Sequence, residues 1–242
     1  MLRHGIIIGI FCVFLGLAAR AEEKEADEKM LVQLDRKIPE INFTGQGLAD
    51  VLDFMRDVTG SNIFIDWRSL EAAGIGKDAP VGLRLKGATV RTALKEMLDK
   101  ASTEKGKAEL SIADGVLVIS TAPDPKHPRA AVKVGKLPAD TDRTLPEINF
   151  GGQALSDVID FLRDVSGLKI QVDWPALERA GIAKTAPVNA RLKDLKSSTV
   201  LRFVLESVSD GKSIIECTSA DKVLTITAKP LPPKDAPKKS EK

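Results

Sequence analysis

The sequence predicts an α+β protein in which one small sandwich occurs twice, each copy packing two main helices on a mixed sheet in the order β-α-β-(short α)-β-α-β-β. Three observations predict it. Ile38-Pro39-Glu40-Ile41-Asn42-Phe43 returns as Leu145-Pro146-Glu147-Ile148-Asn149-Phe150, and Asp66-Trp67 returns as Asp173-Trp174, at one offset of 107 residues. Residues 38–86 and 145–193 share 31 identities in 49 gapless positions, far more than common composition gives. This reads as an internal duplication whose period is a domain, too long for a solenoid repeat. Within each copy the apolar spacing switches between alternation and a three- to four-residue period. Finally, Asp114-Gly115 separates two strand-like runs, which is a strong hairpin signal.

Taken in order, Ile38, Ile41 and Phe43 mark a first strand, and Leu48, Val51, Leu52, Met55 and Val58 form the apolar stripe of a helix stopped at Gly60. Ile63 to Ile65 form a second strand. Asp66 is placed to cap a short helix through Trp67, Leu70 and Ala73 that Gly74 ends. Val81, Leu83 and Leu85 alternate as a third strand, Val90, Ala93, Leu94, Met97 and Leu98 make a second long helix, and Leu110–Ile112 and Val116–Ile119 close the copy as a hairpin. The second copy has equivalents at 145–150, 154–165, 168–173, 188–192, 199–208, 213–218 and 223–227. The gapless register is read as broken after Lys86, with Asp194-Leu195-Lys196-Ser197 inserted against Gly87, and as recovered by Val116-Leu117 against Val223-Leu224.

A length of 242 residues with 43% apolar and 29% charged composition suits one large domain or two of about 100 residues. It excludes collagen, low-complexity and multi-span membrane classes. Residues 1–21 read as a signal peptide: Arg3, an apolar run from Gly5 to Ala18 too short for a span, and Ala19-Arg20-Ala21 before a cleavage point. Removing them takes 36 basic residues to 34 against 34 acidic ones, so the mature chain is neutral and has no general pull toward nucleic acid or anionic membrane. The expected organisation is a charged, disordered leader at 22–37, modules at 38–120 and 145–228, a Pro-rich linker at 121–144, and a disordered Lys/Pro tail at 229–242. Residues Ala130–Val134 of the linker are left open to a place on a neighbouring strand.

The chemical inventory is thin. The chain has two cysteines, two histidines and no tyrosine; Cys217 stands alone after cleavage and reads as a packed strand residue rather than a reactive thiol. Asp50, Asp53 and Asp57, with Asp157, Asp160 and Asp164, share a helix face beside Arg56 and Arg163. Calcium or acid–base work is one reading of that face, but its place opposite the apolar stripe favours a solvated surface. Lys86 and Lys193 guard strand ends, His127 sits in a Pro-rich linker without a second ligand, and Gly45-Gln46-Gly47 and Gly151-Gly152-Gln153 read as plain turns before helices rather than anion loops. Trp67 and Trp174 each follow an Asp at a helix start, where a large ring either seals the sheet or serves as a docking anchor.

The helix Leu155-Ser156-Asp157-Val158-Ile159-Asp160-Phe161-Leu162, then Ser166-Gly167 and the strand Leu168-Lys169-Ile170-Gln171-Val172-Asp173, resemble the opening of the short N-terminal domain of secretins and TonB receptors. Leu48 to Met55, Thr59-Gly60 and Asn62 to Asp66 carry the same pattern in the first copy, and Val81 to Ser120 resemble its later part. The resemblance implies a periplasmic or extracellular domain that packs in rings or contacts proteins of export and signalling systems; no length remains for an outer-membrane pore or receptor barrel. The expectation is an exported, non-catalytic protein-binding or assembly module of the bacterial envelope, related to secretion or transport machinery, with no cofactor, metal or nucleic acid and no stable membrane span after cleavage. Trp67, Trp174 and Val118, the last taken as an edge-strand residue, are the partner-binding candidates. The alternatives are a self-associating structural protein and a small-molecule carrier or enzyme with a site between the modules.

Overall fold

In the first unit, alternation of buried Ile41 and half-buried Phe43 with exposed neighbours makes β1 (Glu40–Gly47), which pairs antiparallel with β3 (Pro80–Lys86), Ile41 opposite Leu85 and Phe43 opposite Leu83. The computed structural model describes residues 23–121, 132–135, 137–138, 141–209, 211, 213–220 and 222–230. The chain divides between residues 122 and 123 into two units, each with its own core. Between β1 and β3 run α2 (Leu48–Thr59), β2 (Ile63–Ile65) and α3 (Trp67–Ala72); after them come α4 (Val90–Ala101), β4 (Ala108–Ala113) and β5 (Val116–Thr121). Local chemistry sets the ends. Asp66 accepts the Ser69 N–H at 3.1 Å to start α3, Thr89 accepts the Thr92 N–H at 3.1 Å to start α4, and Gly60, at φ 67°, takes the left-handed conformation that closes α2. Asp114 and Gly115 both have positive φ, 51° and 72°, the geometry of the tight turn that matches strand twist in a two-residue hairpin.

The class is mixed α+β, as the periodicity predicts, but the strands divide into two sheets. β1 and β3 form one; β2, β5 and β4 form the other, with β5 in the middle, parallel to β2 and antiparallel to β4. α4 packs against β3 in one sheet and β4 in the other, because its buried stripe of Val90, Ala93, Leu94, Met97, Leu98 and Ala101 is wide enough to serve both. A single core therefore draws on both sheets. Val58, read from the sequence as part of the α2 stripe, lies outside it and is exposed; only Leu48, Val51, Leu52 and Met55 of that helix are buried.

The leader is a further correction. Residues 23–34 form α1, and Met30 and Leu34, one turn apart, are buried in the first core together with Ile38. Asp27 accepts the Gly115 N–H at 2.8 Å, Gln33 accepts the Ser61 hydroxyl at 3.0 Å, and Asp35 pairs with Arg91 at 3.1 Å. A segment rich in Glu and Lys is helical here because one face finds apolar surface to cover.

The second unit comprises β6 (Val132–Val134), β7 (Thr144–Leu145), β8 (Ile148–Ala154), α5 (Leu155–Ser166), β9 (Lys169–Val172), α6 (Trp174–Arg179), β10 (Pro187–Leu192), β11 (Leu195–Lys196), α7 (Ser197–Val208), β12 (Ser213–Ala220) and β13 (Val223–Pro230). β8 pairs with β10, β7 with β11, and the larger sheet runs β6-β12-β13-β9. The expected linker is thus shorter than its composition implies: within the segment left open to a neighbouring strand, Val132–Val134 form β6, which joins this sheet in parallel with β12, and Asp142 accepts the Ser198 N–H at 3.0 Å at the start of α7. The proposed insertion at Gly87 is also absent. α5, α6 and α7 each begin 107 residues after α2, α3 and α4, and Gly87 and Asp194 share a positive φ, 65° and 54°. Side-chain identity hid this register, since Thr89 caps α4 whereas Lys196, at the same place, offers no side-chain cap and Asp142 supplies one from a distance. No helix among the described residues is long and apolar enough to cross a membrane. The signal-peptide segment, His127 and the tail beyond residue 230 lie outside the described residues.

Candidate functional site

α2 and α5 present the same apolar pair on their outer faces. Phe54 and Val58 are 44% and 53% exposed, and Phe161 and Val165 are 39% and 37% exposed. Spacing of four residues places each valine one turn beyond its phenylalanine on one face. Each exposed ring is held by a second one from the neighbouring two-stranded sheet: Phe43 meets Phe54 edge to face at 5.6 Å between centroids, and Phe150 meets Phe161 in the same geometry at 5.6 Å. Isolated surface apolar residues are ordinary, but here the same pair, on the same backing ring, occurs in both units. The sequence held a signal for it: Phe54 interrupts the aspartate face and recurs at Phe161, a position outside the buried stripe.

Two of the aspartates around this pair, one on each helix, are engaged with arginine. Asp53 forms an ion pair with Arg56 and Asp160 with Arg163; the same guanidinium groups donate to the Ile63 carbonyl at 2.8 Å and the Ile170 carbonyl at 2.9 Å. Arg56 and Arg163 therefore tie each helix end to the next strand. Among the described residues no group of three His, Cys, Asp or Glu side chains converges where a metal ion would sit.

Trp67 is half-buried and packs against the first core, with the Lys77 ammonium 5.7 Å from its ring centroid; Trp174 is half-buried under Lys184 at 5.6 Å. For Trp67 this position favours sealing over docking, because a ring backed by core and faced by lysine offers little open surface. Val118 is corrected outright. It lies on β5, the central strand, opposite Phe64 on one side and Ser111 on the other, so it is no edge residue.

The glycine-containing segments before α2 and α5 are not open anion loops. Gly45 and Gly152, at φ 111° and 98°, sit in bulges of β1 and β8, and the first helical N–H groups are already taken. Leu48 and Ala49 donate to the carbonyls of Ala79 and Lys77 at 2.9 Å, and Leu155 and Ser156 to those of Ala186 and Lys184 at 2.9 and 3.0 Å. Lys86 ends β3 opposite Glu40, a strand-end position as expected.

Cys217 is buried in β12, and burial pushes its thiol up from 9.0 to about 12. Native chain is therefore expected to resist alkylation near pH 8 and to react only on unfolding. The sign of the stability effect follows: above about pH 9 the unfolded thiol loses its proton while the folded one keeps it, so stability falls as pH rises from about 9 toward 12. Urea midpoints near pH 8 and pH 10.5, compared between the native chain and Cys217→Ala, measure this; an equal decline in both removes the thiol as a cause.

No protein-family model matches the chain, and neither a curated protein nor a solved structure matches it.

Proposed function

We propose that this chain is an exported, non-catalytic protein-binding module of the bacterial cell envelope, related to secretion or transport machinery and composed of two domains of the secretin short N-terminal type. One observation carries the binding reading: the exposed Phe54–Val58 pair and its counterpart Phe161–Val165. An aromatic ring already held in place by a neighbouring ring loses little conformational freedom when a partner covers it, which is the property of an interface anchor. Two equal anchors on one chain also raise the effective concentration of the second contact once the first has formed.

The test places a photo-crosslinking residue at Val58 or Val165 in the chain expressed in its own host. Both positions are expected to trap the same envelope protein. A Phe54→Ser, Phe161→Ser double variant is expected to lower that yield by about tenfold, which corresponds to about 1.4 kcal/mol, with its melting profile retained. Adducts between copies of the chain would replace the reading with self-association. Unchanged yield in the double variant would remove the helix face from binding.

A further inference from the structure

β4 and β12 hold the same place in their units, and their outer edges differ. In the β4–β5 hairpin the two-residue turn makes Ala113 and Val116 the closing hydrogen-bonded pair, so Ser111 and Glu109 also bond inward. Ala108, Leu110 and Ile112 consequently turn their backbone N–H and C=O groups outward. The Ala108 N–H shows this orientation by donating to the Ser102 hydroxyl at 3.0 Å. Among the described residues β4 has one strand neighbour, β5.

The second unit shows what such an edge accepts. β6 lies along β12 in parallel, with Val132 opposite Ile215, Lys133 opposite Glu216 and Val134 opposite Cys217, and the Gly135 N–H donates to the Cys217 carbonyl at 2.8 Å. A Cβ on Gly135 would stand 2.9 Å from that carbonyl oxygen, so the close approach requires glycine. Glu216 and Cys217 stand 107 residues beyond Glu109 and Leu110, so the edge glutamate occurs in both units, and Glu109 is exposed. A hydrogen bond from Lys229 holds the Glu216 carboxyl below the ordinary range, and the charges of Lys229 and Lys133 act in the same direction. The first-unit counterparts of β6 are residues 25–27, which belong to α1; Asp27 meets the hairpin turn at Gly115 and the segment runs as helix.

We propose that the outer edge of β4 receives an extended segment of a partner protein, patterned apolar–basic–apolar–glycine, which runs parallel to β4 with its basic residue opposite Glu109. This extends the protein-binding reading above by naming the chemistry of the partner segment, at a surface distinct from Phe54 and Phe161.

The probe is a labelled synthetic peptide with the sequence of residues 130–136, added to the full chain. Slowed hydrogen exchange at Leu110 and Ile112 is expected, together with a rise in peptide anisotropy. Glu109→Lys should weaken binding by about tenfold, and a peptide with glutamate in place of the Lys133 equivalent should recover it on that variant. Leu110→Pro should abolish binding by removing the outward N–H; the charge exchange decides the matter should that variant fail to fold. The proposal is overturned by protection at β12 in place of β4, by no protection, or by indifference to the charge exchange. Protection of β4 that grows with chain concentration in the absence of peptide would also overturn it, by making a second copy the occupant. Loss of peptide binding with retained crosslinking at Val58 and Val165 would remove the edge alone, and the reverse result would remove the helix face alone.

Discussion

Val118→Pro is expected to unfold the first unit. Val118 lies on the middle strand of the sheet β2-β5-β4 and is 7% exposed, with Ser111 facing it across the antiparallel hairpin. The hairpin register makes these residues a hydrogen-bonded pair, while Leu117 on the alternate side donates to the Asn62 carbonyl at 2.8 Å. Proline deletes the ladder donor at Val118 and strands the Ser111 carbonyl, a loss of about 1–3 kcal/mol before any steric cost. The ring must also fit between two paired strands, a place where proline is essentially not found. A total of about 3 kcal/mol or more is a large share of the 5–15 kcal/mol that holds a typical domain together. Urea unfolding followed by circular dichroism should show the first unit's transition moved to lower denaturant or missing. A variant that melts like the native chain would mean that β5 is not a central strand. At Leu110 on β4 the N–H points outward from the hairpin, so proline there removes no bond to β5 and is expected to cost less than at Val118.

Leu34→Ala is expected to cost about 2–5 kcal/mol, the usual range for truncating a buried leucine. Leu34 is 1% exposed and contributes to the same core as Leu52, Met55, Leu94 and Leu98. Its neighbour Leu31, 41% exposed on the same helix, is the control: Leu31→Ala should remain within about 0.5 kcal/mol of the native chain. Equal midpoints for the two variants would return residues 22–37 to the disordered leader that their composition predicts. The large difference expected between them reflects position alone, since the substitution is the same.

Much of each unit was legible without coordinates, because the signals are local. The Asp114-Gly115 turn, the cap at Asp66, the glycine stop at Gly60 and the alternation of Val81 and Leu83 each depend on residues within a few positions of one another. The offset of 107 was likewise a property of the string, and it carried the starts of α2, α3 and α4 to those of α5, α6 and α7. Of the candidate site, only the identities and the repetition of Phe54 and Phe161 were visible. Val58 fits the apolar period of α2 as well as a buried residue does, and nothing local says that the core ends at Met55.

What only the tertiary structure decided was which strands become neighbours and which segments find a surface to cover. The unbroken apolar run Val116-Leu117-Val118-Ile119 marks β5 as covered on both faces, unlike the alternating β4, but it does not name the strands that lie beside it. Charged residues at 23–29 indicate solvent, yet Met30 and Leu34 dock α1 because the first unit offers them apolar surface. Proline content around 123–138 indicates a spacer, yet Val132–Val134 become a strand because β12 offers an edge in register. Sequence determined the elements through short-range geometry; their partners were set by burial and backbone pairing between residues far apart in the chain.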